Sequence, residues 1–146
     1  MWNKIQQALL STSSINPDEY SAKTSPNRLH SFGYAVAGWV YMLKHQKNIR
    51  IIMVASILVL LFCLWLEISR IELAIIIVTI TMVWLAEFIN AAIEAAINLS
   101  TSQYHPMAQV GKDVAAGATL LCAIASILIG ILVLLPSLLS RLHTIF

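Results

Sequence analysis

Charge is scarce in this sequence. Asp, Glu, Lys and Arg make up 11% of its 146 residues, against about 25% in an ordinary soluble domain. Hydrophobic residues fill 59% of the chain and the mean hydropathy is +0.81, so a bilayer is the expected solvent. The net charge of +2 is too small, and its basic residues too scattered, for binding through phosphate neutralisation, which excludes a nucleic-acid partner. Cysteine is nearly absent: Cys63 and Cys122 both fall in apolar runs without the paired spacing of a zinc or redox site, and read as small core residues. There is no glycine-rich loop of the G-x-x-x-x-G-K-[ST] type and no protein-kinase catalytic loop, so a conventional nucleotide-binding fold is excluded. The first ten residues break their apolar character with Asn3, Lys4, Gln6 and Gln7, and no cleaved signal peptide is expected. The length suits one domain.

What is present is long apolar runs with a little polarity inside them. Residues 1–26, rich in Ser, Thr and Asn with Pro17 and Pro26, read as a flexible cytoplasmic tail. A membrane domain is expected over 27–140. Over 27–47, Leu29, Phe32, Val36, Trp39, Val40 and Leu43 recur at helical spacing among Arg28, His30, Lys44 and Lys47, which predicts an amphipathic helix at the membrane surface. Three spans follow, at about 48–66, 71–97 and 113–135, the last free of charge from Val114 to Leu135. The fold class is therefore an all-α membrane protein of three transmembrane helices plus a surface helix. Lys4, Lys23, Arg28, Lys44, Lys47 and Arg50 precede the first span while the first connection holds only Arg70, which predicts a cytoplasmic N-terminus and a cytoplasmic 99–112 segment.

Glu87, Asn90, Glu94 and Asn98 stand at i, i+3, i+7 and i+11 and so share one helix face. A carboxylate inside a span costs about 2–4 kcal/mol unless it meets protein, water or an ion, so this stripe is a functional hypothesis. The plainer alternative is a helix end that protrudes into water. Lys112 and Asp113, just before the third run and after Pro106, are expected at the start of a helix whose dipole favours a phosphate, or else are a charge pair at the membrane boundary. Tyr104 and His105 are equally open, because aromatic residues and His are common at interfaces.

These residues carry a resemblance. Glu87-Phe-Ile-Asn90-Ala-Ala-Ile-Glu94, then His105-Pro106, then Lys112-Asp113-Val-Ala-Ala-Gly-Ala closely resembles the E-x-x-N-x-A-x-E…H-P…K-D-x-A-A-G-A signature of the prokaryotic diacylglycerol and undecaprenol kinases. The likeness extends to Ser31-Phe-Gly-Tyr34-Ala-Val-Ala-Gly38 and Asn48-Ile-Arg50-Ile, covering about residues 28–135. It implies a homotrimer in the bacterial inner (plasma) membrane, active on its cytoplasmic side, that moves the γ-phosphoryl of ATP to a lipid alcohol with Mg2+. Carried over by position, Glu87 is the general base at the lipid hydroxyl and Asn90 orients the site. Arg28, Ser31, Glu87 and Asn90 would meet the lipid. Tyr34, Glu94, Tyr104, His105, Lys112 and Asp113 would meet ATP, and Glu94 with Gln46 would meet the metal.

The chain also departs from that pattern. Gln46 stands where many relatives carry a second metal-binding glutamate and Asn98 where many carry aspartate, so two negative charges are missing. Hard divalent cations prefer carboxylates, and weaker metal affinity is the expected consequence. Gln109 and Gly111 replace residues that are often Lys and Ala. The expected function is phosphorylation of diacylglycerol to phosphatidic acid in phospholipid metabolism, with undecaprenol as the alternative acceptor. A catalytically weakened membrane-interaction subunit and an ion-conducting component are the other classes, the last disfavoured because one helix alone carries the charges.

Overall fold

The structure, a computed structural model, describes residues 28–101 and 103–145. The tail expected over residues 1–26 lies outside the described residues. The described chain is all helical: α1 Arg28–His45, α2 Lys47–Leu66, α3 Arg70–Ser100 and α4 Pro106–Ile145. Two compact units divide at Val40 and Tyr41. In the first, residues 28–40 are helical and expose Leu29, Phe32, Tyr34, Val36 and Trp39.

The second unit holds α2, α3 and α4, which pack against one another, α3 and α4 most extensively. Each of the three is long and apolar enough to cross a membrane. Their lengths follow from the sequence. Uncharged residues of strong apolar character let backbone hydrogen bonds close within the helix, the arrangement a bilayer interior demands. The closely packed interior is small: Met42, Ile49, Cys63, Leu66, Ile76 and Ala115 are buried, while many Leu, Ile and Val side chains face outwards. In water such an exterior would aggregate; against lipid chains it is the expected surface.

The breaks between helices have local causes. At Gln46 the backbone is extended, with its N–H still bonded to the Met42 carbonyl at 2.9 Å. α2 ends on Glu67, which adopts a left-handed conformation (φ 55°). The Ile68 N–H then reaches the Cys63 carbonyl and the Glu67 N–H the Leu64 carbonyl, the double closure of a Schellman motif. Two residues later α3 starts with a capping box. The Ser69 hydroxyl accepts from the Glu72 N–H at 3.3 Å and the Glu72 carboxylate accepts from the Ser69 N–H at 2.7 Å. On the other side of this turn the Arg141 guanidinium donates to the Glu67 carboxylate at 3.0 Å.

α3 and α4 are longer than their apolar runs. α4 has 40 residues, about 60 Å at 1.5 Å per residue, twice the ~30 Å hydrocarbon thickness. It continues through Pro136, where the expected span ends, and the uncharged run itself lasts to Ser140. A proline there removes one backbone hydrogen bond, and the helix closes again on its far side. At the other end α4 begins at Pro106, so the link from α3 is only residues 101–105.

Candidate phosphoryl-transfer site

The polar stripe on α3 runs from buried to exposed. Glu87 is 3% exposed and Asn90 9%, Glu94 is half-buried, and Asn98 at the C-terminal end is exposed. The helix end therefore reaches water at Asn98, but Glu87 and Asn90 are not a solvated face. The Asn90 Oδ1 atom is buried with no hydrogen-bond partner. An orphaned buried oxygen costs roughly 1–3 kcal/mol, and its retention inside an apolar helix marks a place where a donor or a cation is to be received.

Where the stripe emerges, α3 meets the start of α4 around a cavity of about 630 Å3. Asn98, Tyr104, His105, Gln109, Lys112 and Asp113 are among its walls. Gly111 faces Ile97 there: a Cβ would come within 2.9 Å of the terminal Cδ1 of Ile97, which would have to shift. One residue on, the Lys112 ammonium donates to the side-chain amide oxygen of Asn98, Oδ1, at 2.7 Å. That partner is neutral. Lys112 thus forms no direct ion pair among the described residues, although Asp113 lines the same cavity. An ammonium held on a cavity wall can meet a phosphate as a point charge.

Lys112 and Asp113 do not start the helix, which corrects the expectation from their place before the third apolar run. Pro106 takes the first helical position, which its missing N–H and fixed φ favour. His105 caps it, its Nδ1 accepting from the Met107 N–H at 3.2 Å while its carbonyl accepts from Ala108 and Gln109. Lys112 and Asp113 consequently lie beyond the first turn, and any contribution they make to anion binding comes from the side chains rather than the helix dipole. With Nδ1 accepting, the imidazole proton is assigned to Nε2, leaving an N–H free to donate to a ligand. The Tyr104 hydroxyl donates to Gln109 Oε1 at 2.9 Å, so the residue that departs from the usual lysine has a partner in the cavity.

The structure thus brings Asn98, Tyr104, His105, Lys112 and Asp113 to one cavity, while Glu94, Asn90 and Glu87 stand on the same face of α3 as Asn98 but outside the cavity lining. Gln46 is the half-buried residue before α2, with no side-chain capping bond. Arg28, Ser31 and Tyr34 belong to the first unit, where all three are exposed. The role of Asn98 in holding Lys112 escapes sequence reasoning, which counts it only as a lost charge.

The donors present suit a magnesium ion carried by a nucleotide. Asn90 Oδ1 is an unsatisfied oxygen one helical turn from the Glu94 carboxylate, on the same face. Among the described residues no group of three or more His, Cys, Asp and Glu comes together. Magnesium is commonly held by one or two carboxylates, with phosphates and water completing its shell, rather than by an all-protein cage.

With this geometry in view, similarity to known proteins becomes specific. Residues 33–134 match the family model of prokaryotic diacylglycerol kinase. The chain is 40% identical over 119 residues to a diacylglycerol kinase of Synechocystis sp., covering 81% of this chain and 68% of the relative. It is 36% identical over 108 residues to the undecaprenol kinase of Bacillus subtilis, covering 74% of this chain and 88% of the relative. To a diacylglycerol kinase of Pseudomonas aeruginosa it is 25% identical over 105 residues, covering 71% and 85%. Its buried Glu87 and Asn90, and the Lys112–Asp113 pair at the cavity, all fall inside the matched range, and the chain belongs to the prokaryotic diacylglycerol kinase family and is a lipid kinase.

Proposed function

We propose that the protein transfers the γ-phosphoryl group of ATP to the hydroxyl of diacylglycerol, giving phosphatidic acid, at the cytoplasmic side of a bacterial inner membrane. The observation that carries this reading is the continuity of the polar stripe. It runs on one helix face from the buried Glu87 carboxylate to Asn98, which lines the cavity and holds Lys112. A lipid hydroxyl and a nucleotide phosphate need such a path between an apolar and an aqueous environment.

In the reaction the lipid oxygen attacks the γ-phosphorus, the bond to the β–γ bridging oxygen breaks, and ADP departs. Glu87 takes the hydroxyl proton, and Asn90 holds the acceptor in register. Lys112 offsets charge on the phosphates, while Tyr104, His105 and Asp113 bound the nucleotide. Positioning and charge compensation do most of the work in phosphoryl transfer, because the bond-making itself asks little of the protein. Glu94, with the oxygen of Asn90 and Gln46, would hold magnesium. When bound, the ion neutralises charge on the β- and γ-phosphates. A homotrimer is part of the same reading. Ala92, Ala95, Ala96, Gly117, Ala118 and Ala125 are small and exposed on the single chain, and allow close helix approach in a bilayer.

Undecaprenol is the competing acceptor, favoured by the 88% coverage of the Bacillus subtilis enzyme. Both lipids offer a hydroxyl on an apolar body. Purified protein in lipid bicelles, given γ-labelled ATP, magnesium and equal amounts of the two lipids, decides between them. Label in phosphatidic acid supports the proposal; label in undecaprenyl phosphate alone overturns the choice of acceptor.

A further inference from the structure

Among the described residues, a hydrogen bond links side chains of α2 and α3. The Trp84 indole N–H donates to the Ser56 hydroxyl oxygen at 3.1 Å, and both groups are partly buried. The Ser56 hydroxyl in turn donates to the Ile52 carbonyl at 2.7 Å. The serine proton is therefore committed to its own helix and its lone pair points to the neighbour. The Ser56 hydroxyl keeps its own-helix bond in any orientation, but an indole N–H turned towards hydrocarbon would lose this acceptor, so the bond favours the rotation of α3 that keeps Trp84 on Ser56.

Its place on α3 matters more than its strength. Trp84 precedes Glu87 by three residues, so the two side chains lie on neighbouring sectors of the same helical turn. Glu87 is 3% exposed. Phe88, beside it, pairs with the Trp84 ring at a centroid distance of 6.3 Å. A helix is stiff over one turn, so any rotation of α3 about its axis that breaks the Trp84–Ser56 bond swings Glu87 through the same angle. Apolar contacts between α2 and α3 resist such rotation weakly, because lipid chains match side chains as partners and no hydrophobic gain pins one rotation over another.

We propose that Ser56 is a positioning residue for phosphoryl transfer: through Trp84 it sets the rotation of α3 and so aims the Glu87 carboxylate. This rests on the reading of Glu87 as the base at the lipid hydroxyl. Misplacing a reacting group by about 1 Å can cost on the order of 10²-fold in rate, so a partial loss of aim should cost about tenfold.

The test compares Ser56→Ala, Trp84→Phe, their double variant and Ser56→Thr in the wild-type protein, and Ser56→Ala again in Glu87→Gln. All are assayed as the full-length protein in bicelles with magnesium-ATP and diacylglycerol. Ser56→Ala and Trp84→Phe should each lower kcat about tenfold while KM for magnesium-ATP stays within about twofold. The double variant should be no slower than either single one, because both remove one bond. Ser56→Thr, which keeps the hydroxyl, should restore the rate. Adding Ser56→Ala to Glu87→Gln should cost nothing more, since no carboxylate is left to aim. Unchanged kcat in Ser56→Ala and Trp84→Phe, beside a slow Glu87→Gln, overturns the positioning role and leaves the base reading intact. An equal further loss in the Glu87→Gln background shows that Ser56 only holds the helices together, and also overturns it. A fully active Glu87→Gln removes the base reading and the proposal with it.

Discussion

At the scale of single residues, the two glutamates of α3 differ in surroundings and should differ in role. Glu87 is buried and Glu94 half-buried, seven residues nearer the exposed C-terminal end of α3. If Glu94 holds magnesium against the phosphates, Glu94→Gln raises the apparent KM for magnesium-ATP as well as lowering kcat, by about tenfold or more in kcat/KM, and added magnesium recovers part of the loss. The position of Gln46 permits the converse experiment. Gln46→Glu restores a carboxylate that hard cations prefer, and should shift half-saturation to lower magnesium. Titrating activity against free magnesium for both variants checks the pair; identical magnesium curves for wild type and Glu94→Gln would remove the metal role. The spacing of Glu87, Asn90, Glu94 and Asn98 makes the stripe legible from the sequence alone, because a 100° step leaves no choice of face. The Lys112–Asn98 bond is not legible there, since it needs the register of α4 on α3, which Gly111 and Ile97 set by contact rather than by pattern.

At the scale of helices, three apolar spans can be read directly from the uncharged runs, and the structure has them. Their ends are harder. The expected third span stops at Leu135 before Pro136, yet α4 continues to Ile145, because one lost backbone bond is smaller than the gain of continuing a helix already nucleated. Likewise His105 and Pro106 look like loop residues by composition, but act as cap and first position of α4. The α2–α3 turn is the best-defined boundary, with a Schellman closure, a capping box and the Arg141–Glu67 pair within a few residues. Ser69→Ala removes the capping-box hydroxyl and should destabilise the protein by about 1 kcal/mol. Arg141→Met should cost less than that, because an exposed ion pair contributes only about 0–1 kcal/mol. Unfolding in mixed micelles with a graded denaturing detergent orders the two variants; a larger loss for Arg141→Met would mean that the ion pair, not the cap, fixes the turn.

At the scale of the whole molecule, the proposed reaction needs a lipid, a nucleotide and a metal gathered by few polar residues, and the proposed close packing of several copies would enclose such a site. If the small residues of α3 and α4 form a trimer interface, Ala95→Leu or Ala118→Leu should weaken assembly, and cross-linking in mild detergent should give trimers for the wild type and fewer for the variants. A wild type that remains monomeric under those conditions would contradict the assembly. The composition points to a membrane protein at once, and the family signature to its chemistry; the way in which helix faces meet depends on contacts such as Ser56–Trp84 that no periodicity reveals. The most direct test of the account measures transfer of labelled γ-phosphate to diacylglycerol by wild type and Glu87→Gln side by side, at saturating magnesium-ATP. The account predicts labelled phosphatidic acid from the wild type and a rate lower by about 10²-fold or more in the variant, with nucleotide affinity little changed. Equal rates from the two proteins, or no labelled lipid from the wild type, would contradict it.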